Sequence, residues 1–224
     1  MKIFLDTEFY EHQPKAFRTQ WVTDEADGSR GPSTALEPIP GANAVQLISL
    51  GAVREDGAEF YAENSEFDWG NVPGDHWLQE NVRPHLWGRP PRDWEERSIS
   101  PWAQAKAKGG AVGYFKPHVI ADQFQVFATT ILSGGGGRHE DPEFWGYFCD
   151  YDWVVLCGLY GRMIDLPPEF PMYCRDLKQE MDRIDLPGMA LPAQPTSEHH
   201  ALADARWVHS AYKLACVWDD EGEF

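Results

Sequence analysis

Residues 45–53 read VQLISLGAV, and residues 58–62 read AEFYA; both runs are rich in β-prone residues. The sequence Glu-Asp-Gly at 55–57 lies between them and is typical of a hairpin turn. Residues 1–9, MKIFLDTEF, contain another alternating apolar run that predicts a strand. Together these segments predict three antiparallel strands near the start of the chain.

The rest of the chain alternates between helical and strand patterns. A helix is predicted around Trp77 and Leu78, and residues 117–133 carry apolar side chains at helical spacing. The later elements are a strand at Phe144–Cys149, a helix at Asp152–Met163, a short strand beginning at Tyr173–Cys174, a helix to about Ile184 and a last helix from about His199 to Val217. This order predicts an α/β fold in which helices flank both faces of a mixed sheet.

A length of 224 residues suits a single domain over residues 1–224, and 42% hydrophobic residues suffice for a core. Residues 10–43 are rich in Pro, Gly, Asp, Ser and Thr, which predicts a loop insertion. Residues 88–116 are predicted to be irregular. Four glycines at 134–137 indicate a flexible connector, because no Gly-Lys-Ser/Thr follows them to make a phosphate-binding loop.

The sequence lacks the patterns of membrane and exported proteins. No apolar run approaches the ~18 residues that a membrane helix needs. An acidic residue, Asp6, already stands at the sixth position, where a signal peptide would not carry one. The four cysteines have no paired metal spacing, which indicates reduced, mostly buried thiols. We therefore expect a cytoplasmic protein with no membrane partner.

The net charge is strongly negative, with 19 Lys and Arg against 36 Asp and Glu, or −17. A protein that fills a DNA groove needs a cationic face, so this balance excludes that class of DNA-binding protein. It does not exclude an enzyme that holds only the end of a nucleic acid through metal ions.

Four acidic residues stand at positions where the pattern requires apolar side chains. Asp6 and Glu8 are two residues apart on the first strand, so both side chains leave the same face. Asp152 and Asp204 each precede apolar residues by 4, 7 and 11 positions on predicted helices. Buried carboxylates are costly unless a cation neutralises them, and oxygen-rich clusters favour Mg²⁺ or Mn²⁺. The sequence therefore predicts a divalent metal site.

Each carboxylate taken alone also has an ordinary structural explanation, such as a helix cap or a pair with arginine. Asp152, near a helix start, is a candidate for such a cap. A zinc site is a weaker alternative: His200 and Asp204 are four residues apart, but the chain has no H-E-x-x-H and no Cys pair at metal spacing.

Three motifs resemble those of the DEDDh 3′→5′ exonucleases of the RNase H-like superfamily. Asp6-Thr7-Glu8 resembles the first motif, and residues 199–205, HHALADA, resemble the third, H-x-A-L-x-D-A. Asp152 followed by Leu156 resembles the second, an Asp at a helix start with an aliphatic residue four positions later. The phrases FLDTEF, LISLGAV, YDWVVLCGLYG and HHALADAR are similar to the RNase AS group, small bacterial exoribonucleases specific for adenylate-containing RNA.

The resemblance implies a role for each site residue. The ligands of two Mg²⁺ or Mn²⁺ ions would be Asp6, Glu8, Asp152 and Asp204. His199, five residues before Asp204, would be the general base, since an imidazole takes up a proton near neutral pH. His200 would then be a neighbour that is exposed or structural, and Asp150 would be exposed or would support the ligands from behind.

The implied reaction is hydrolysis at the 3′ end of single-stranded RNA, which releases nucleoside 5′-monophosphates, with a preference for adenylate. Two ions ~3.5–4 Å apart would activate the attacking water and stabilise the leaving 3′-oxygen. Phe9 is a candidate to pack on the terminal sugar or base, and an ordinary core position explains it equally well. A homodimer is a further expectation.

Two other functions remain open from the sequence. The same chemistry could act on single-stranded DNA, because no residue is identified that reads a 2′-hydroxyl. A non-catalytic acidic interaction protein would explain the net charge and the acidic residues at 219–223. Such a protein, however, needs carboxylates over its surface and has no use for them on apolar helical faces.

Overall fold

The computed structural model describes residues 1–12, 17–23, 30–38, 44–74, 76–88, 101–107, 111–129, 141–194 and 198–221. The chain forms two compact units, one of Met1–Phe9 with Leu47–Phe224 and the other of Tyr10–Gln46. The connector predicted at 134–137 lies outside the described residues. The assignment of the whole chain to a single domain stays a prediction.

The described residues form strands and helices in alternation after an initial run of strands. The strands are β1 (Lys2–His12), β2 (Phe17–Thr23), β3 (Arg30–Pro38), β4 (Ala44–Arg54), β5 (Glu59–Asn64), β6 (Ala111–Phe115), β7 (Glu143–Gly146) and β8 (Arg175–Asp176). The α-helices are α1 (Trp77–Asn81), α2 (Pro101–Ala107), α3 (Pro117–Thr129), α4 (Asp150–Tyr160), α5 (Leu177–Arg183) and α6 (Ala201–Glu221). Short 3₁₀ helices lie at Trp69–Asn71, Arg83–His85, Met163–Asp165 and Gly188–Ala190.

The larger sheet has six strands in the order β6-β5-β4-β1-β7-β8. β4 and β5 pair antiparallel around a turn in which the Gly57 N–H donates to the Arg54 carbonyl over 2.8 Å, with Gly57 at φ 88°. This pairing confirms the predicted hairpin. β7 runs parallel to β1, β8 to β7 and β6 to β5, so the sheet is mixed. The α/β prediction is confirmed, and the architecture is consistent with an RNase H-like fold.

Helices cover both faces of this sheet. Neighbouring residues of a strand point to opposite faces, so the contacts of two successive residues show which helix lies on each face. On β5, the Phe60 ring packs against Phe124 and Phe127 of α3, at centroid distances of 5.4 and 5.5 Å. The next residue, Tyr61, packs with Ala201 at the start of α6. These contacts place α3 on one face of the sheet and α6 on the other, as predicted.

The first turn of α6 approaches the sheet closely at Gly51 of β4. A Cβ atom at Gly51 would lie 2.2 Å from the carbonyl carbon of Ala201, far inside van der Waals contact. Only glycine leaves room for the helix backbone at this position. This close approach brings Asp204, one turn further along α6, to the sheet.

The segment predicted as a loop insertion, residues 10–43, contains regular structure instead. β2 and β3 pair antiparallel in a separate two-stranded sheet, with Trp21 opposite Pro32 and Phe17 opposite Pro38. A two-stranded sheet consists only of edge strands, where proline is tolerated because some backbone N–H groups need no partner. The Pro-rich composition therefore indicated a loop where the chain forms a hairpin.

The segment predicted as irregular, residues 88–116, also contains a helix and a strand. α2 begins at Pro101, a position where proline suits a helix because the first N–H groups have no partner within it. β6 pairs parallel with β5 and forms an edge of the large sheet. Trp102 is buried on the same side as Tyr61, which explains a tryptophan in this segment.

Smaller differences concern the ends of elements. α4 begins at Asp150 and ends at Tyr160, where Gly161 adopts φ 110°. Met163 lies beyond this break and is exposed, so the predicted face shared with Asp152 holds for Leu156 but not for Met163. The strand predicted at residues 173–174 is observed two residues later, as β8.

All four cysteines are free thiols: Cys149 and Cys157 are buried, Cys174 is partly buried and Cys216 is exposed. Among the described residues, no helix combines the length and the apolar character required to span a bilayer.

Candidate active site

Three carboxylates from two distant parts of the chain meet beside the sheet. One carboxylate oxygen of each of Asp6, Glu8 and Asp204 lies within 4.8 Å of the others. Asp6 and Glu8 are brought together by the two-residue repeat of β1, and Asp204 arrives on the first turn of α6. This spacing fits oxygen ligands converging on a divalent cation.

Asp152, the fourth predicted ligand, lines the same pocket from the first turn of α4. Its Oδ1 accepts hydrogen bonds from the backbone N–H of Thr7 at 2.8 Å and from the Thr7 hydroxyl at 2.6 Å. It is not at the N-cap position of α4, which Cys149 occupies. Thr7 therefore fixes one oxygen of Asp152 between the strand positions that carry Asp6 and Glu8.

The pKa values of all four carboxyl groups are raised above those of free side chains. Burial, followed by repulsion from Asp204 and Asp152, raises the pKa of Glu8 to about 8. Burial, together with the three neighbouring carboxyls, raises the pKa of Asp6 well above its usual range. Burial also raises the pKa values of Asp152 and Asp204 to about 6, although the Thr7 and His199 hydrogen bonds act in the opposite direction.

No Lys or Arg is among the described residues that line this pocket. The raised pKa values fit a buried acidic cluster to which none of the described lining residues brings a positive charge. Such a cluster fits Mg²⁺ or Mn²⁺, which accept carboxylate oxygens and supply the missing positive charge. Nothing in this set of side chains supports zinc, because the three groups that converge are all oxygen donors.

His199 stands at the pocket wall immediately before α6. Its backbone has φ 68°, and its N–H donates to Oδ2 of Asp204 at 2.9 Å. The Trp77 ring meets the His199 imidazole edge to face at 4.6 Å. The same peptide thus orients a carboxylate and carries the imidazole, which places the predicted base beside the predicted ligands.

His200, the adjacent residue, has a different environment. It is buried, and its ring stacks on Tyr61 at a centroid distance of 4.5 Å. Burial lowers the pKa of His200 to about 4. Neither ring nitrogen has a hydrogen-bond partner among the described residues. His200 is therefore a neutral packing residue, which settles the sequence alternatives in favour of a structural role.

The pocket lined by the four carboxyl groups and His199 has a volume of about 310 Å³. No family model matches the chain. Two 3′-5′ exoribonucleases of Mycobacterium tuberculosis, one from strain CDC 1551 and one from strain H37Rv, are each 30% identical to it over 186 residues. The match covers 83% of this chain and 93% of each relative. The chain belongs to this family of 3′-5′ exoribonucleases.

The protein is therefore an enzyme, and the hypothesis of a non-catalytic acidic interaction protein is set aside. The aligned length includes most of the chain, so the relationship is not confined to one motif. Family membership also agrees with the pocket, because a nuclease must bring cations to a phosphodiester that an acidic protein would otherwise repel.

Phe9 is not an ordinary core residue of this exoribonuclease-family enzyme. It lines the pocket, is partly exposed and stacks on Tyr151 with ring centroids 5.4 Å apart and planes 6° apart. Asp150, the other residue with an open role, is exposed at the start of α4. The structure thus brings Phe9 to the site and leaves Asp150 at the surface.

Several pocket residues were not identified from the sequence. Besides Thr7, they are Tyr147, Gln194, Glu198, Trp207 and Val208. Thr7 stands inside the Asp-Thr-Glu motif, and Glu198 directly precedes His199. For these two residues, their position in or next to a motif could have indicated that they line the site. Tyr147 and Trp207 touch at a ring-centroid distance of 4.9 Å across distant segments, a contact that only the fold creates.

Proposed function

We propose that the protein is a DEDDh-type, metal-dependent 3′→5′ exoribonuclease that releases nucleoside 5′-monophosphates from single-stranded RNA. The observation that carries this proposal is the convergence of one oxygen each from Asp6, Glu8 and Asp204 within 4.8 Å, in a pocket without a lining Lys or Arg among the described residues. Membership of the 3′-5′ exoribonuclease family supports the reaction and its direction.

The cofactors proposed are two Mg²⁺ or Mn²⁺ ions. Their ligands would be Asp6, Glu8, Asp152 and Asp204. When bound, such ions supply an acidified water and positive charge for the leaving 3′-oxygen. Metal binding would displace protons from these carboxyls, because the positive charge of the ions would offset the burial and the mutual repulsion that raise their pKa values.

His199 is proposed as the general base. Its imidazole stands at the wall of the carboxylate pocket, where it can accept a proton from the attacking water. The hydrogen bond from its N–H to Asp204 and the edge of Trp77 restrict the direction of the imidazole. Proton acceptance near neutral pH matches the chemistry that an imidazole supplies.

The substrate proposed is the 3′ end of single-stranded RNA, with a preference for adenylate. A volume of about 310 Å³ is at the lower end of the range for ligand pockets, which suits one terminal nucleotide. Phe9 offers a ring that can contact its sugar or base. The adenylate preference depends on the resemblance to the RNase AS group. A cytoplasmic location and a homodimer likewise remain proposals.

The test is digestion of 5′-labelled single-stranded RNA by the purified protein with Mg²⁺ or Mn²⁺. We expect shortening from the 3′ end, release of nucleoside 5′-monophosphates and loss of both products in Asp204→Asn. Asp122→Asn changes an exposed carboxylate of α3 and is the matched control. Intact RNA with the wild-type protein, or equal activity in Asp204→Asn, would overturn the proposal.

Two further substrates define the specificity in the same assay. A matched single-stranded DNA separates RNA from DNA as the preferred polymer. RNA ending in adenylates, compared with RNA of equal length ending in other nucleotides, tests the adenylate preference. Faster digestion of DNA than of RNA would replace the proposed substrate while leaving the proposed chemistry in place.

A further inference from the structure

Two free thiols meet beside the start of α4. Cys149 is buried at the N-cap position of α4, and Cys174 is partly buried immediately before β8. Their Sγ atoms contact the same Arg175 carbonyl oxygen, at 3.4 Å for Cys149 and 3.6 Å for Cys174. A hydrogen bond also links the two thiols directly. The two sulfurs are therefore neighbours in the fold, although 25 positions separate them in the chain.

The packing around Gly146 explains why the two thiols meet. Gly146 ends β7 and pairs with Asp176 of β8. A Cβ atom at Gly146 would lie 2.4 Å from Cβ of Cys149, so only glycine lets Cys149 fold back over the end of the strand. The Cys149 N–H then donates to Oδ2 of Asp176 at 2.9 Å. This arrangement holds Cys149 beside β8, the strand that Cys174 precedes.

Cys149 also supports the first turn of α4. Its carbonyl accepts a hydrogen bond from the Trp153 N–H at 2.9 Å. Asp152, a proposed metal ligand, lies in this turn and is held by Thr7. A displacement of Cys149 would therefore move the backbone that carries Asp152.

We propose that Cys149 and Cys174 form a reversible disulfide that displaces Asp152 and lowers the activity of the carboxylate site. The effect on activity rests on the proposed exoribonuclease function, whereas formation of the bond does not. A covalent bond requires the sulfurs to come closer than hydrogen-bonded thiols do, which draws the start of α4 toward β8. Because Mg²⁺ demands nearly ideal positions of its oxygen ligands, movement of one ligand weakens binding of the ion.

The oxidant proposed is hydrogen peroxide. The more accessible Cys174 thiol loses its proton, its sulfur attacks a peroxide oxygen and the O–O bond breaks, which leaves a sulfenic acid and one water. The Cys149 thiol then loses its proton, its sulfur attacks the sulfenic sulfur, the S–O bond breaks and a second water leaves. The two thiols give up two electrons and two protons to one peroxide. The hydrogen bond with Cys149 and burial raise the pKa of Cys174, so oxidation should need sustained exposure.

The first test is peptide mapping of the full-length, chelator-treated protein after exposure to peroxide. Trypsin places Cys149 in peptide 139–162 and Cys174 in peptide 163–175, because an arginine ends each. Mass spectrometry should detect these peptides joined, and separate after treatment with dithiothreitol. Cys157 shares the first peptide, so loss of the joined product in Cys149→Ser assigns the bond.

The second test measures the consequences after the peroxide is removed. The oxidised wild type should digest RNA on the order of 100-fold more slowly, the cost of a ~1 Å misplacement. It should also bind Mn²⁺ about 10-fold more weakly in calorimetry, the effect of disturbing the support of a ligand. Dithiothreitol should restore both properties.

Two variants show whether the pair is responsible. Cys174→Ser should match the activity of the reduced wild type and keep it after peroxide, because one sulfur of the pair is missing. Cys216→Ser removes an exposed thiol of α6 and is the matched control, which should lose activity after peroxide as the wild type does.

The outcomes separate this inference from the proposed function. RNA left intact by the reduced wild type contradicts the proposed function, while peptide mapping and Mn²⁺ binding still decide the inference. The inference is overturned if the oxidised wild type yields no joined peptide, if its Mn²⁺ binding is unchanged, or if peroxide inactivates Cys174→Ser equally.

Discussion

Two buried carboxylates on neighbouring parts of the sheet have opposite surroundings. Glu8 is 8% exposed and faces other carboxyls, whereas Glu63 is 3% exposed and faces donors. Glu63 accepts hydrogen bonds from the Tyr61 hydroxyl at 2.8 Å and from the N–H groups of Trp87 and Gly88 at 2.6 and 2.9 Å. Burial raises the pKa of Glu63 while these hydrogen bonds oppose the rise. Burial alone therefore does not mark a functional carboxylate. What separates the two residues is their surroundings, which are other carboxyls for Glu8 and hydrogen-bond donors for Glu63.

The same contrast divides the two adjacent histidines. His199 belongs to the carboxylate pocket, and His200 belongs to the aromatic cluster around Tyr61, Trp87 and Trp102. One peptide bond separates a residue proposed to move a proton from one that only packs. The positive φ of His199 makes this division, since it turns the chain before α6 begins.

Glu8→Gln should produce the largest change. Loss of a metal ligand should lower kcat by about 1,000-fold, the equivalent of several kcal/mol of transition-state stabilisation. Without metal the variant should be more stable than the wild type, because one source of repulsion is removed. Steady-state kinetics and chelator-treated thermal unfolding measure the two effects. Wild-type activity in Glu8→Gln would contradict the proposed role of Glu8 as a metal ligand and with it the contrast between Glu8 and Glu63.

His199→Gln should lower kcat by about 100-fold or more, the usual contribution of a general base. It should leave Mn²⁺ binding unchanged, which separates a lost base from a lost metal ligand. His200→Phe is the matched control: the His200 ring nitrogens have no partner among the described residues, so an apolar ring should preserve activity. Wild-type kcat in His199→Gln would exclude the proposed base.

Glu63→Gln should affect stability rather than catalysis. A neutral amide accepts hydrogen bonds less strongly than a carboxylate and brings its own donors toward the Trp87 and Gly88 N–H groups. The free energy of unfolding should fall by about 1–3 kcal/mol, while the folded fraction keeps its kcat. Urea unfolding with activity measured on the same sample tests this. A loss of kcat without a loss of stability would contradict the structural assignment of Glu63.

The pH dependence of stability should differ with and without metal. Glu8 has a folded pKa of about 8 against an ordinary value of 4.5, so between these pH values the folded state holds a proton that the unfolded state has lost. Stability without metal should therefore fall by about 1–3 kcal/mol as pH rises through this window. Saturating Mg²⁺ should remove the fall. Thermal unfolding measures this stability at each pH. If stability falls equally steeply with pH in the presence and absence of Mg²⁺, the carboxylates do not bind the ion.

Part of the candidate site was predictable from local spacing. The two-residue repeat of a strand puts Asp6 and Glu8 on one face, and helical spacing puts Asp152 and Asp204 on apolar faces. His199 was proposed from the resemblance to the DEDDh exonucleases, whose general base stands five residues before the last acidic residue. Spacing along the chain cannot predict which distant residue holds a ligand in place. The hydrogen bonds from Thr7 to Asp152, for example, join residues 145 positions apart.

The hairpin of β2 and β3 and the strand β6 were missed for a related reason. Both lie at sheet edges, where proline and short runs are permitted, so composition resembles that of loops. The sequence does not single out Glu63, because its backbone donors come from residues 24 and 25 positions later.

The most direct measurement of the central claim is titration of chelator-treated protein with Mn²⁺ by isothermal calorimetry. The carboxylate pocket should bind two ions per chain at neutral pH, with release of the proton that Glu8, with a pKa of about 8, holds in the metal-free state. Glu8→Gln should lose at least one ion, whereas Glu63→Gln should bind as the wild type does. No Mn²⁺ binding by the wild type, or unchanged binding by Glu8→Gln, would contradict the account.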